Sequence, residues 1–369
     1  MDSIVSSLRL LVHQLSRQGA DCPAPRPRGA AGGREDWGMV VELADHYFLS
    51  PALWKALADA PPRSPLPEDM AAYLEQIYTL NRERNQGLLG QLEEIVYGLN
   101  ARGIEPVLLK GAGHLVTDVY PDPACRMMGD LDILVGPGEI GGALDVLDEL
   151  GYGVKPQDGT RFDDHHHVAP RVREDRLAPV ELHRGLILRE VAHLLPTEVA
   201  IRNTEAVASN GWSARILNPT YRMIHNMLHS GIVNRYYEES ELDLNALYEM
   251  HCMVWRYGGH IDWDEIAATF NGHQIKGVLD GYLHALRKLF GDAPEGIRVG
   301  IGAHSFFLRA LARVRWRGYD RFEQRLYSLS PRRIRARYGL SREHGPVAIN
   351  LKRVQLVAEK LRERRAGSA

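Results

Sequence analysis

The sequence predicts an α+β protein in which a small mixed sheet carries helices and is flanked by helical N- and C-terminal regions. Three observations predict it. First, Leu131, Ile133 and Val135 alternate with Asp130, Asp132 and Leu134, and Val180 and Leu182 alternate with Glu181 and His183; a period of two is that of a strand. Second, the apolar run Pro106, Val107, Leu108, Leu109 stops at Lys110 and Gly111, after which Leu115, Val116 and Val119 have helical spacing. Third, apolar residues recur at helical spacing over long stretches on both sides of this unit.

Taken in order, residues 2–18 place Ile4, Leu8, Leu11 and Leu15 on one helix face. Residues 20–36 are rich in Pro, Gly and Arg and bury too little apolar surface to order themselves, so they read as a linker. Residues 42–57 and 67–99 return to helical periodicity; the second carries Met70, Tyr73, Leu74, Ile77, Leu80, Leu88, Leu92 and Ile95, as one or two long helices. After Val135 the tripeptide Gly136, Pro137, Gly138 breaks the strand, and Leu144, Leu147 and Leu150 mark a helix closed by Gly151. Short extended segments follow at 152–154, 165–168 and 180–183. Asn218 and Pro219 read as a cap and a first-turn proline ahead of Met223, Ile224, Met227 and Leu228, with further helices over 242–254 and 275–289. Four regions result: 1–36, a helix and linker; 37–103, helical; 104–215, the α/β core; 216–369, helical, with arginine-rich residues 306–340.

Composition narrows the class. With 44% apolar and 25% charged residues and a formal charge of −2, nothing biases the whole chain toward nucleic acid or a membrane. No apolar run approaches the ~20 residues of a bilayer span, and the start lacks a signal-peptide pattern, so the cytoplasm is the expected location. Cys22, Cys125 and Cys252 form no C-x-x-C pair, which argues against a disulfide scaffold or thiolate zinc site.

The chemistry concentrates in the core. On one strand Asp130 and Asp132 point the same way, about 6–7 Å apart, within reach of one or two hard cations. Two ionised carboxylates so placed repel unless a cation or proton intervenes. Glu181, on its own strand, is placed to be a third acid. A strand that turns through Gly111 into a helix leaves free N–H groups suited to phosphate, with Lys110 and Arg126 as added positive charge. In the run His165, His166, His167, the first and third would share a strand face, able to ligate a transition metal or orient a phosphate, with His183 nearby. His225 and His229 fit one helix face, but position 226 is Asn, so the H-E-x-x-H zinc arrangement is absent.

The glycine turn, the Asp-x-Asp strand and the later carboxylate resemble the nucleotidyltransferase superfamily that includes DNA polymerase beta. More closely, LLKGAGHL at 108–115, YPDPACRMMGDLDILV at 120–135 and VELH at 180–183 resemble a broad bacterial family known only as nucleotidyltransferases, over roughly residues 40–290. The resemblance implies a small mixed-sheet nucleotidyltransferase core that moves a nucleoside monophosphate from a nucleoside triphosphate to a hydroxyl or phosphate acceptor. It implies Asp130, Asp132 and Glu181 as catalytic residues and ligands of two Mg²⁺ ions, Mn²⁺ being admitted, and Lys110, Gly111, Arg126 and His183 around the donor. The acceptor is expected to be a small molecule, peptide or protein rather than RNA. Two other readings stand beside it: a metal-dependent phosphohydrolase joining the carboxylates to His165, His167 and His183, and a non-catalytic nucleotide-binding module that regulates a partner through its arginine-rich end.

Overall fold

A mixed seven-stranded sheet frames the protein, seen in a computed structural model that describes residues 3–16, 36–62, 64–155, 162, 165–292, 294 and 297–315. The strands are β1 (Val107–Leu108), β2 (Leu131–Leu134), β3 (Gly153–Val154), β4 (Arg171–Val172), β5 (Val180–His183), β6 (Thr204–Ser209) and β7 (Trp212–Leu217). Their order is β3-β4-β5-β2-β1-β7-β6. β2 runs parallel to β5 and β1 parallel to β7; the other neighbours are antiparallel. The chain divides into two units, Met1–Ala310 and Leu311–Ala369. Most of the arginine-rich tract, the predicted linker apart from Asp36, and Cys22 lie outside the described residues.

The helices before the sheet are α1 (Ser3–Leu15), α2 (Trp37–His46), α3 (Ser50–Asp59) and α4 (Glu68–Ala101). Leu8, Leu11 and Leu15 of α1 are fully buried, as their spacing requires. The helical pattern over 42–57 is two helices rather than one: the chain breaks at Tyr47–Leu49, where Phe48 sits at φ 57°, in the left-handed region that no helix continues through. Residues 67–99 form one helix, α4. Of its predicted apolar face, Leu74, Leu88, Leu92 and Ile95 are buried, but Tyr73 and Leu80 are 41% and 53% exposed. The buried stripe passes instead through Asn81 and Asn85, one helical turn apart, and on to Leu88 and Leu92.

α5 (Lys110–Leu115) follows β1 and stops short of Val119; α6 (Ile140–Glu149) follows β2 and ends where Gly151 adopts φ 83°. α4 packs on the apolar sheet face through Leu88, Leu92, Ile95, Val96 and Leu99, against Leu131, Ile133, Val180 and Leu182. α7 (Thr197–Arg202) precedes a hairpin that the period-two reading overlooked. Its turn, Asn210 and Gly211 at φ 48° and 90°, joins β6 to β7, and positive φ at both central residues is the type I′ hairpin pattern. Next come α8 (Pro219–Leu228), α9 (Tyr236–Glu239), α10 (Leu244–Tyr257), α11 (Trp263–Gly272), α12 (Lys276–Leu289) and α13 (Ile301–Arg315). Asn218 caps α8 by accepting from the Tyr221 N–H at 3.0 Å. No helix among the described residues is long and apolar enough to cross a membrane.

The two buried asparagines of α4 explain why that stripe is not wholly apolar. Asn81 donates to Ala124 O at 2.7 Å and Arg126 O at 3.0 Å; Asn85 donates to Pro123 O and Arg126 O, both at 2.8 Å. They pin the loop that leads into β2. Replacing either removes two hydrogen bonds to the carbonyls of this loop, which costs about 1–3 kcal/mol. Asn85→Ala is therefore expected to lower the unfolding free energy by that much, read as a lower urea midpoint, and the Asn81→Ala, Asn85→Ala pair to be non-additive because both amides share Arg126 O. An unchanged midpoint in Asn85→Ala would remove this amide from the account of the loop.

Candidate active site

Strand register builds the site. β2 and β5 pair in parallel with Asp132 opposite Glu181 and Leu134 opposite His183. Leu131, Ile133, Val180 and Leu182 face the core, so alternation turns Asp132, Glu181 and His183 to the other face. There one ligand atom from each of the three lies within 4.8 Å of the others. Asp132 and His183 are 2% and 0% exposed. Oδ1 of Asp132 accepts from Lys110 Nζ at 2.8 Å and from His183 Nε2 at 2.8 Å. Glu181 Oε2 lies 3.9 Å from His183 Nε2 and 3.4 Å from His167 Nε2. Asp130, one residue before β2, lines a cavity of about 410 Å³ together with Asp132, Lys110, Gly111 and Arg126. That volume falls in the range of small-molecule sites, roughly 300–1,000 Å³.

The charges here do not balance locally. Burial pushes Asp132 up, but Lys110 and then His183 outweigh it and hold the carboxyl well below its usual range. Burial, Asp132 and Asp130 push Glu181 up to about 7. Burial and the charge of Asp132 also raise Asp130. Burial would lower Lys110, but Asp132, followed by Asp130 and Glu181, holds it above its ordinary value. One ammonium thus answers several acids.

Local backbone serves the same face. Lys110, the first residue of α5, adopts φ 45°, a left-handed conformation uncommon outside glycine and asparagine. Gly111 lies beneath the Met128 side chain, whose Sδ would be 2.5 Å from any Cβ there. At Gly113 a Cβ would meet Leu108 O at 2.9 Å, so the glycine lets α5 lie close on β1. Both glycines admit close approach of neighbouring chain.

Arg126 meets the helical region. Its Nε lies 3.5 Å from Glu249 Oε2 on α10, and its Nη1 donates to Met127 O at 3.0 Å. Glu249 also receives His114 Nε2 at 3.2 Å, Asn226 Nδ2 at 2.8 Å and the Tyr120 hydroxyl at 3.1 Å. Burial raises Glu249, but His114 and Arg126 with these hydrogen bonds hold it well below the carboxylate range. Sequence reasoning missed Glu249, His114 and Asn226; a lone acid within the buried stripe of α10 is the one sign of them in the chain. They border a second polar cavity of about 180 Å³, which shares Lys110, Arg126, His229 and Asn245 with the first. His225 and His229 lie near each other as their spacing predicts, with ring centroids 6.0 Å apart, and a turn of π-helix, His229–Val233, starts at the second. Such turns recur at functional sites.

The histidine run departs from the strand expected of it. Residues 165 and 166 form a bend, and a single antiparallel bridge, His167 to His183, ties the run to β5. Burial pushes His166 down to about 2 and His167 to about 4, so both rings are neutral at neutral pH. Cys125 and Cys252 are free and buried, and burial pushes both thiols up, away from the thiolate a nucleophile needs.

Residues 33–291 match the family model described as "Uncharacterised nucleotidyltransferase". No curated protein and no solved structure matches the chain. The matched stretch is more than half of the 369 residues and contains the whole sheet, and on that ground the chain belongs to the uncharacterised nucleotidyltransferase family.

Proposed function

We propose that this chain is a metal-dependent nucleotidyltransferase that moves a nucleoside monophosphate from a nucleoside triphosphate to a hydroxyl or phosphate acceptor and releases pyrophosphate. The observation that supports this most is the register that sets Asp132 beside Glu181, with Asp132 also sharing a cavity wall with Asp130. The residues fit a hard divalent cation. Lys110 Nζ, 2.8 Å from Asp132 Oδ1, already stands as a cation among these acids, and the donors around it are mostly carboxylate oxygens, as Mg²⁺ or Mn²⁺ prefers. Such ions, when bound, polarise the donor's phosphates and lower the pKa of the acceptor hydroxyl.

The chain's own groups then divide the work. Asp130, Asp132 and Glu181 hold the ions, and His183 fixes the orientation of Asp132 through its Nε2 contact. Glu181, which completes the shell of the second ion, also takes the acceptor's proton. Lys110 and Arg126 supply positive charge to the triphosphate, and the first-turn N–H groups around Gly111 face its tail. Phe48, 58% exposed on the wall of the larger cavity, offers a ring face to the base. The phosphohydrolase reading draws on the contact between His167 and Glu181; phosphate release from a triphosphate with no acceptor present would favour it.

Incubation of the chain with α-labelled triphosphates, Mg²⁺ and fractionated cell extract should carry label into an acceptor, and Asp132→Asn should abolish that transfer while leaving the circular dichroism spectrum intact. Undiminished transfer in Asp132→Asn removes the residue from the mechanism.

The raised carboxyl also fixes a pH dependence. Because the metal-free fold favours neutral Glu181, its contribution to stability is fully present below the unfolded value of ~4.3 and is lost as pH rises through about 7. His167, pushed by burial down to about 4, works in the opposite sense, contributing stability that grows as pH rises toward 6.5. Comparison with Glu181→Gln isolates the acid. In metal-free protein the variant's melting temperature should gain on the parent's from about pH 5 to about pH 8, and Mg²⁺ should narrow the gap. A difference that shrinks over that window contradicts the assignment.

A further inference from the structure

His165, His166 and His167 bring three imidazoles together beside Glu181. Their ring centroids are 4.3 Å apart for His165 and His166, 4.1 Å for His165 and His167, and 4.9 Å for His166 and His167. One nitrogen from each falls within 4.8 Å of the others. β5 holds the backbone in this bend: the N–H groups of Arg184 and Gly185 both donate to His166 O, at 2.8 and 3.1 Å, and Val168 donates to Leu182 O at 2.9 Å.

The nitrogens themselves point to a ligand. His166 and His167 are 7% and 5% exposed. Nδ1 of His165 and Nδ1 of His166 are buried with no hydrogen-bond partner, whereas buried polar atoms are ordinarily satisfied. His167 is oriented differently. Its Nδ1 donates to Val168 O at 2.7 Å, which leaves Nε2, 3.4 Å from Glu181 Oε2, as the nitrogen that carries the lone pair, the arrangement by which a backbone carbonyl commonly fixes a metal-bound imidazole. Ring packing alone would account for the buried surface, but an apolar side chain would fill that space without stranding nitrogens.

We propose that His165, His166 and His167 form a nitrogen-donor site for a borderline divalent transition ion, Zn²⁺ in the first instance, separate from the oxygen-rich acid cluster. Neutral imidazoles suit Zn²⁺, Co²⁺ or Ni²⁺ and discriminate against Mg²⁺. Zinc–nitrogen bonds of about 2.0–2.1 Å place ligand atoms ~3.4 Å apart in a tetrahedron, so small side-chain rotations close the set. Water completes the fourth position, as it does in zinc sites with three protein ligands. An ion held there fastens the bend to β5. The inference does not depend on the transfer reaction.

The test is metal binding by the full chain, stripped with chelator and titrated calorimetrically with Zn²⁺ in excess Mg²⁺, and with Co²⁺ followed by its visible absorption. One tight equivalent of Zn²⁺ is expected, indifferent to Mg²⁺ and retained in Asp132→Asn. It should weaken at least ~10-fold, with loss of the Co²⁺ band, in His165→Gln and in His167→Gln. His165, the least buried of the three, is the first variant, with circular dichroism as the check on folding. Absence of saturable Zn²⁺ binding by the parent, or binding that disappears in Asp132→Asn and survives both histidine variants, overturns the proposal.

Discussion

Asp132 and Glu181 stand side by side on parallel strands in a buried face, and most of what surrounds them answers the charge this creates. Two unit charges 4 Å apart interact by about 4 kcal/mol at an effective dielectric near 20, comparable to a sizeable share of a domain's net stability of about 5–15 kcal/mol. Lys110 relieves part of it by placing Nζ against Asp132, and its backbone tolerates φ 45° to do so. His183 relieves more from the same strand as Glu181. Burial, together with what is left over, settles on Glu181 as a raised proton affinity. A site in which every acid had its own fixed partner would leave no such surplus.

That arrangement needs its loops held still, and α4 does this with amides rather than with bulk. Asn81 and Asn85 fix the loop before β2. Gln91 fixes the approach to β5, donating to Ala178 O at 2.8 Å, and Asn100 bridges to β7, donating to Ser213 O at 2.9 Å while accepting from Ser213 N at 2.8 Å. Apolar packing tolerates sliding by a fraction of an ångström; a carboxamide bonded to two carbonyls does not. One helix therefore sets the relative positions of the loop, β5 and β7 while its leucines bury the sheet.

The core was legible because its signals are local. The alternation in β2 and β5, the glycine turn after β1 and the Asn218 cap each depend on a few adjacent residues. The hairpin of β6 and β7 was legible too, through Asn210 and Gly211, but the weakly apolar alternation of β6 hid it. Asn81 and Asn85 escaped because a helical periodicity read on apolar residues passes over polar ones that share the stripe. Glu249 escaped for a deeper reason: its partners His114, Tyr120, Arg126 and Asn226 come from segments far away in the chain, and nothing local announces their meeting.

The same long-range meeting decides where the protein has room for a ligand. An apolar residue at position 249 would let α10 close on α5 and on the loop carrying Arg126, as helices close on a sheet wherever their facing surfaces are oily. A buried carboxylate with four polar partners cannot be covered that way, since each partner must keep its geometry. The polar cavity beside α10 is thus a consequence of satisfying Glu249, and it shares Lys110, Arg126, His229 and Asn245 with the cavity that Asp130 and Asp132 line. The placing of the acids rests on strand register, whereas the shape of the adjoining space rests on α8 and α10. Two parts of the fold can then vary separately: the sheet under the demand of charge, and the helices under the demand of whatever molecule the site must admit.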